Sequence, residues 1–442
     1  MAIKNLIIRG LVLAFVVVGL FQAISSHGSR KRIIQILASS NEVEVMQSVY
    51  KNNETTPQTV VGQSDAEEHH RQDSDLMLAR DKMESSISTP TSPILSSRPL
   101  CTREQIRQGT WMPKQYDKLP YLPRQLDIKT CYAEADLHKP WNSYEWQPRD
   151  ASSCELTQWD SNLFCTLAQN QTVFIMGDSL SLEHYSALVH ILGVTGFYDE
   201  EAYVKGDAKQ KFVFYVCPHN TTRLVFFRQD YLFPKTAKKQ LDKESYATDI
   251  EPDIVVFNRG AWYAADDALA KRVIQLGPLL HQWQERCRTR QNITKHSMYA
   301  ATGGMASCIF IWRTTVPGVP NCTDFSKPAT NLEEMEQWTQ NVSHYIGNSF
   351  RWHWYDFAHQ NQFLLNEIFP KEWPAALDYH VMDAYEINLL RPDDKISRAG
   401  KKVDCFHNCA PSSTTLLYNQ LLLHIMRQNY QQQQQQMSAI TL

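Results

Sequence analysis

Short apolar runs alternate with amphipathic stretches along most of the chain after residue 170. The runs "TVFIMG", "DIVVFN" and "CIFIWRTT" are typical of strands that are buried on both faces of a sheet. Behind the first run, apolar residues recur at helical spacing and a glycine then ends the pattern: Leu182, Tyr185, Leu188, Val189, Leu192 and Gly193. This alternation predicts a three-layer α/β domain, with a mostly parallel central sheet covered by helices on both faces.

Two other runs depart from the strand–helix alternation. "KFVFYVC" and "RLVFFRQ" flank the turn "PHNTT" and predict a β-hairpin. A long helix is predicted over 266–287, and a second helix is expected after a capping box formed by Thr330 and Glu333. The segment 101–170 contains tryptophans and cysteines but no pattern of a long helix.

Composition divides the chain into unequal parts. Residues 30–100 are rich in Ser, Thr, Gln, Pro and charged residues, and this composition has too little apolar surface to order a core. We therefore expect a largely disordered stem there. The segment 101–430 is long enough to bury a core and is expected to form one domain. The Gln-rich tail, 431–442, is of low complexity and is expected to be loose.

The first 29 residues resemble a targeting segment. An apolar run over 10–24 is preceded by Lys4 and Arg9 and is followed by the basic cluster 30–32. The run is short for a membrane-spanning helix, and "FQAISS" offers a cleavage site, so a removed signal peptide competes with a signal anchor. We favour the anchor because a long stem suits a tethered domain, which predicts a single-pass membrane protein with a lumenal domain; secretion is the alternative.

Cysteines and glycosylation motifs support export. All ten cysteines follow residue 100, as expected of up to five disulfides in an oxidising compartment: Cys101, Cys131, Cys154, Cys165, Cys217, Cys287, Cys308, Cys322, Cys405 and Cys409. Six asparagines lie in N-x-[ST] motifs: Asn53, Asn170, Asn220, Asn292, Asn321 and Asn341. The net charge of −3 gives no reason to expect a nucleic-acid partner.

Four polar residues are candidates for catalysis. Ser179 follows a predicted strand where a helix begins, and Asn258 follows the next central strand, so both reach the edge of the sheet where ligands bind. A serine there is usually only a helix cap, and an asparagine is often a turn former. Asp404 and His407, however, are spaced so that the carboxylate can hold the imidazole, and an imidazole can activate a serine.

Cys405 and Cys409 flank His407. Disulfides from these cysteines to other parts of the domain would fix the loop so that His407 reaches Ser179. Two other interpretations remain open: a zinc site of Cys405, His407 and Cys409, which an oxidising lumen disfavours, and a purely structural crosslinked turn. We expect no metal.

The motifs "FIMGDS" and "VDCFHNCAP", together with "DIVVFNRGAWY" and "FIWRTT", resemble the trichome-birefringence-like proteins and the wider PC-esterase group of the GDSL/SGNH superfamily. The resemblance covers most of 101–426. It implies an SGNH-like fold, a Golgi membrane location, and O-acetylation of polysaccharides by a triad of Ser179, His407 and Asp404. It also implies that Ser179 and Asn258 stabilise the oxyanion.

Three departures affect the substrate rather than the catalytic motif. The chain has "LSLEH" where plant members carry Arg-Asn, Ala261 where they carry His, and Asn408 where they carry Trp. The acceptor polysaccharide therefore does not follow from the resemblance.

The sequence thus predicts an O-acetyltransferase that forms an acetyl-serine intermediate and passes the acetyl group to a polysaccharide or glycan. It needs no bound cofactor, and an acetyl donor such as acetyl-CoA would be a co-substrate. A carbohydrate acetylesterase and a non-catalytic glycan-binding or assembly factor are the alternatives. Aromatic and basic residues after two strands are candidates for sugar contacts: Trp262, Tyr263, Trp312 and Arg313.

Overall fold

The computed structural model describes residues 98–114, 144–194, 211–230, 251–258, 261–295, 308–345, 353–396, 404–408 and 412–441. The predicted targeting segment, the stem up to residue 97, Asn53, Cys131 and Cys409 lie outside the described residues. Within the described residues, no helix is both long enough and apolar enough to cross a membrane.

The strands within the described residues are β1 (Gly109–Pro113), β2 (Tyr144–Pro148), β3 (Thr172–Gly177), β4 (Lys211–Val216), β5 (Thr222–Arg228), β6 (Ile254–Phe257), β7 (Ile309–Arg313), β8 (His380–Met382), β9 (Lys395–Ile396) and β10 (Asp404–Asn408). The helices are α1 (Arg103–Arg107), α2 (Ser161–Leu167), α3 (Ser179–Ile191), α4 (Asp266–Lys295), α5 (Leu332–Gln340), α6 (Phe357–Phe363), α7 (Phe369–Glu372), α8 (Tyr385–Leu389) and α9 (Ser413–Thr441).

A six-stranded sheet forms the centre of the domain, in the order β4-β5-β3-β6-β7-β8. β4 is antiparallel to β5, whereas β5, β3, β6, β7 and β8 run parallel to one another. The mostly parallel α/β sheet and the hairpin predicted from the sequence are both confirmed. Two smaller antiparallel pairs, β1–β2 and β9–β10, lie outside this sheet.

Alternate residues of the central strands enter two separate cores. In β3, Val173 and Ile175 lie in a core that includes α3 and α9, whereas Phe174 and Met176 lie in a core that includes α4. Side chains of a strand point alternately to opposite faces, so both faces are covered. This arrangement explains why the central strands read as continuous apolar runs, and it confirms the three predicted layers.

Helix bounds agree with the sequence in some places and differ in others. α3 ends as predicted, because Gly193 adopts a left-handed φ of 76° just beyond the C-cap residue Leu192. α4 covers the predicted 266–287 and continues to Lys295. The predicted capping box is wrong by one residue: Asn331, rather than Thr330, is the N-cap of α5, and its side chain accepts from the Glu334 N–H.

The Gln-rich tail is helical rather than loose. α9 runs from Ser413 to Thr441 and includes almost all of 431–442. Glutamine loses little rotamer freedom in a helix, so a repeated run of it can extend a helix whose earlier turns are anchored in the core. The anchoring turns contain buried residues such as Leu422 and Leu423.

Four disulfides lie within the described residues: Cys101–Cys154, Cys165–Cys217, Cys287–Cys308 and Cys322–Cys405. Such a set is typical of a lumenal or secreted domain. The asparagines of four glycosylation motifs are exposed: Asn170, Asn220, Asn321 and Asn341. Asn292 lies in α4.

Candidate active site

Ser179 lies at the junction between β3 and α3. Asp178 is the N-cap of α3, and its side chain accepts a hydrogen bond from the Leu180 N–H at 3.0 Å. The turn leaves no room for a side chain at Gly177, where a Cβ atom would lie 1.9 Å from Ser181 Oγ. The junction therefore places a half-buried Ser179 at the first residue of α3, where the positive end of the helix dipole favours developing negative charge.

Arg313 supports this junction from the end of β7. Its side chain is fully buried, and its two terminal nitrogens donate to Leu180 O and Ser181 Oγ, each at 3.2 Å. The guanidinium also lies 5.4 Å from the centroid of the Tyr418 ring. A buried charge with these contacts fixes the first turn of α3 rather than facing solvent.

Asp404 and His407 come from β10, which pairs with β9. Asp404 Oδ1 accepts from the backbone N–H groups of Phe406 and His407, at 3.1 and 3.2 Å. Asp404 Oδ2 lies 2.8 Å from His407 Nδ1. One carboxylate thus fixes both the backbone of β10 and the orientation of the His407 ring.

His407 Nε2 lies 2.8 Å from Ser179 Oγ, although the two residues are 228 positions apart. In the tautomer with its proton on Nδ1, the ring donates to Asp404, and Nε2 can accept the serine hydroxyl proton. The structure therefore brings together the three residues that the sequence singled out. Their geometry allows proton transfer from the hydroxyl to the imidazole, with the carboxylate stabilising the imidazolium.

A disulfide and a backbone hydrogen bond hold β10 next to the segment that follows β7. Cys405 is bonded to Cys322, and Cys405 O accepts from the Val319 N–H at 2.9 Å. The prediction that a disulfide fixes the histidine segment is confirmed for Cys405. The zinc alternative is wrong, because a disulfide-bonded Cys405 has no thiolate to offer a metal.

Asn258 lies at the end of β6, as expected, and is buried. Its Nδ2 donates to Arg313 O at 3.0 Å and to Thr315 Oγ1 at 3.4 Å. These hydrogen bonds tie the end of β6 to the end of β7. The oxyanion role of Asn258 stays a prediction, and it requires the amide to exchange at least one of these acceptors for the substrate oxygen.

The predicted sugar contacts need correction. Trp312 is 1% exposed and packs against Phe369 and Trp373 in the core on the α4 face. Trp312 and the fully buried Arg313 therefore do not line a sugar-binding surface. A residue at a strand end can still point into the core, because side chains of a strand alternate between its faces.

The other two predicted contacts differ from each other. The Tyr263 side chain is buried in the core on the α4 face, so it does not line a surface. Its backbone oxygen accepts a hydrogen bond from Gln360 Nε2. Trp262 is half-buried at the edge of the other core. All four predicted sugar contacts lie within the described residues. Among them, only Trp262 is exposed enough to contact a sugar.

Two buried charged residues near His407 were not predicted. Glu183, on α3, accepts from the Asn408 N–H at 3.2 Å, and Lys395, in β9, donates to Phe406 O at 3.2 Å. Glu183 could have been found, because it follows Ser179 by four residues and therefore lies on the same face of a largely apolar helix. The segment "RPDDKIS" is typical of a polar surface loop, so nothing in the sequence indicates that Lys395 is buried.

The mostly parallel sheet with helices on both faces, and the polar residues at its carboxyl edge, define an SGNH-like domain of the acyl-esterase type. Residues 156–425 match the PC-Esterase family, a GDSL/SGNH-like acyl-esterase family found in Pmr5 and Cas1p. The chain belongs to this family, and Ser179, Asp404 and His407 all lie within the matched residues. Comparison with curated proteins gives no match.

Proposed function

We propose that the protein is an O-acetyltransferase that moves an acetyl group to a hydroxyl of a polysaccharide or glycan. The observation that carries the proposal is the continuous hydrogen-bonded chain from Asp404 through His407 to Ser179, with 2.8 Å at each step between side chains. Membership of an acyl-esterase family agrees with chemistry at an acyl carbon.

In the first half of the reaction, His407 Nε2 takes the proton of Ser179, and the serine oxygen attacks the carbonyl carbon of an acetyl donor. The tetrahedral intermediate carries a negative charge on its oxygen, and the backbone N–H of Ser179, at the start of α3, is our first choice of donor to it. Asn258 is the second. Collapse of the intermediate expels the donor's leaving group, which receives the proton from His407, and leaves acetyl-Ser179.

In the second half, His407 takes the proton of a sugar hydroxyl, and that oxygen attacks acetyl-Ser179. The second tetrahedral intermediate releases the serine oxygen, which regains a proton from His407, and the product is an O-acetyl sugar. The donor is a co-substrate such as acetyl-CoA, and the enzyme keeps no cofactor.

An acetylesterase is the second candidate, because the description of the family as acyl-esterases favours it. Both reactions share acetyl-Ser179 and differ only in whether water or a sugar hydroxyl takes the acetyl group. Water exclusion during the second half therefore decides between them.

The cellular setting is part of the proposal. We infer a glycoprotein in the Golgi, held by the N-terminal segment, with its catalytic domain in the lumen. Four disulfides and four exposed asparagines in glycosylation motifs support this setting.

The test uses the full-length protein, purified from a eukaryotic secretory host and incubated with an isotopically labelled acetyl donor and a panel of oligosaccharides. We expect labelled O-acetyl sugar, and Ser179→Ala should lower turnover by about a thousandfold or more. Release of labelled acetate without acetylated sugar would identify an esterase. A cellular effect that survives Ser179→Ala would instead support a non-catalytic glycan-binding or assembly factor.

A further inference from the structure

Two buried residues of opposite charge lie on either side of the His407 backbone. Glu183 is 5% exposed and Lys395 is 3% exposed. Buried charges are costly, and they persist where they are paired and hydrogen-bonded. Neither residue takes part in the proton transfers proposed above, so their place beside the histidine needs another explanation.

Lys395 holds the peptide bond that precedes His407. Its Nζ donates to Phe406 O at 3.2 Å, to Pro317 O at 3.0 Å and to Asn388 Oδ1 at 2.7 Å. A lysine ammonium has three protons, so these acceptors use all of them. The Phe406 carbonyl belongs to the peptide unit that ends at the His407 nitrogen, and Lys395 therefore fixes that unit.

Glu183 holds the peptide bond that follows His407. Its Oε2 accepts from the Asn408 N–H at 3.2 Å. Because Glu183 lies on α3 four residues after Ser179, this contact joins the helix that carries the serine to the strand that carries the histidine. Arg313, which lies beneath the first turn of the same helix, is a further positive neighbour of Glu183.

We propose that Glu183 and Lys395 form a clamp that positions His407 against Ser179. The clamp fixes both peptide units around the histidine, so the ring is placed by its backbone as well as by Asp404. Both members are positioning residues, since they act through His407. The inference rests on the proposed function, because it assigns the clamp to the catalytic step.

The two charges also stabilise each other. Burial lowers the pKa of Lys395 to about 8, while the carboxylates of Glu183, Asp394 and Asp404 act in the opposite direction and Arg391 adds to the lowering. Glu183 is the leading favourable partner of the ammonium. Removal of Glu183 alone therefore takes from the buried Lys395 ammonium its leading favourable charge interaction. Removal of Lys395 alone leaves the buried Glu183 carboxylate without the opposite charge of the ammonium.

The experiment compares Glu183→Met, Lys395→Met and their double variant with the wild type, all as the full-length protein. Glu183→Met keeps the approximate size of the side chain but removes both its charge and the oxygen that accepts from the Asn408 N–H. A pair outside β9 and β10 provides the control: Arg427 Nη1, on α9, lies 2.6 Å from Glu155 Oε1. Glu155→Met and Arg427→Met remove charges from an ion pair that is also partly buried.

Three quantities are measured at a temperature at which every variant is folded. They are kcat and KM for acetyl transfer, the rate at which Ser179 reacts with a fluorophosphonate probe, and the melting temperature. We expect each clamp variant to lower kcat and the probe rate by about 10- to 100-fold, because small misplacements of catalytic groups have effects of this size. KM should stay within about twofold, and the control variants should change only the melting temperature.

The double variant should lose less melting temperature than the sum of the single variants, because it leaves no unpaired charge. Clamp variants that match the wild type in probe rate and kcat would overturn the inference, and so would control variants that slow the probe equally. If Lys395→Met does not fold, Glu183→Met decides alone.

The clamp and the proposed function can fail separately. A wild-type protein that transfers no acetyl group but reacts with the probe would refute the proposed function and still test the clamp. For a wild type inert to the probe, the ring ¹⁵N chemical shifts of His407 decide. The shifts should differ between the wild type and Glu183→Met, because a displaced ring changes its hydrogen bonds to Asp404 and Ser179; unchanged shifts would overturn the clamp.

Discussion

The two segments that carry the triad are built differently. Ser179 stands between a fully buried central strand and a helix, with β3 paired on both sides and the turn closed by Gly177. Asp404 and His407 stand on β10, whose partner β9 is only two residues long. Regular secondary structure places the serine, whereas the histidine depends on a disulfide, on Asp404 and on the clamp of Glu183 and Lys395.

The comparison separates two ways of fixing a side chain. A strand inside a sheet is held by many small contacts, so the loss of one is shared among its neighbours. A short two-stranded pair is held by a few specific bonds, so the loss of any one of them displaces its side chains more. We therefore expect substitutions around His407 to affect catalysis more than equally destabilising substitutions elsewhere.

The largest expected effect beyond the serine itself comes from Asp404→Asn. The new side chain can keep its oxygen toward the backbone N–H groups of Phe406 and His407, but its amide nitrogen then faces His407 Nδ1. That contact favours the tautomer with the proton on Nε2, which cannot accept from Ser179. We expect kcat to fall by roughly 10³- to 10⁴-fold with a nearly unchanged melting temperature.

The control for Asp404→Asn is Asp383→Asn, which weakens the ion pair of Asp383 with Arg103 and should leave kcat unchanged. Retention of more than a tenth of wild-type kcat in Asp404→Asn would show that Asp404 does not set the tautomer.

The next effect in size concerns the Cys322–Cys405 disulfide, tested by replacing both cysteines with serine. Its matched control is the equivalent change at Cys287 and Cys308, because Cys308 precedes β7 and so lies at the opposite end of the sheet from the triad. Loss of either disulfide should lower the free energy of unfolding by about 3–5 kcal/mol. Only the Cys322/Cys405 variant should also lower kcat at a temperature where both are folded, by about tenfold. Equal kcat in the two variants would contradict the proposed dependence on the disulfide.

A smaller effect, on stability alone, is expected at His424 in α9. Its Nδ1 accepts from the Thr157 N–H at 3.2 Å, and its Nε2 lies 2.9 Å from Cys101 O. Burial lowers the pKa of His424 to about 4, while Cys101 O and Glu155 oppose and Arg427 assists the lowering.

The direction of the change in stability with pH follows from proton binding at His424. Between the ordinary pKa of 6.5 and about 4, the unfolded chain binds a proton at this residue and the folded protein does not, so stability falls as the pH falls through this window. The loss amounts to about 3 kcal/mol in total. Urea unfolding at pH 7 and pH 5 should show a smaller difference in His424→Gln than in the wild type, with kcat at pH 7 unchanged. An equal pH dependence would refute the assignment.

The smallest effect is expected from removal of 431–442. This end of α9 lies beyond the buried leucines, and most of its described side chains are exposed or half-buried. Truncation should change the free energy of unfolding by less than about 0.5 kcal/mol and leave kcat unchanged. A loss of several kcal/mol would show that the last turns of α9 contribute to the core.

Much of the fold followed from the sequence because strands buried on both faces have a distinct pattern. The mostly parallel sheet, the hairpin and the end of α3 belong to this group. Ser179 and the pair Asp404 and His407 were singled out because each follows a local rule about position or spacing. The contact between them is not local, and only the folded chain brings it about.

The failures have equally specific reasons. Trp312 and Arg313 follow the same strand-end rule as Asn258, but the rule gives no side-chain direction. Lys395 sits in a polar segment that resembles a surface loop, and its burial depends on acceptors from three separate parts of the chain. The helical glutamine tail was missed because low complexity alone does not distinguish a helix from disorder.

The order of the proposed catalytic residues along the chain also has a consequence for biosynthesis. Translation delivers the nucleophile 228 residues before the base that activates it, which at about 5–20 residues per second is a delay of about 10–50 s. During that interval the sheet can form around a hydroxyl that has no proton acceptor. A nascent polypeptide that has not reached residue 407 therefore contains Ser179 without the imidazole that activates it in the proposed mechanism.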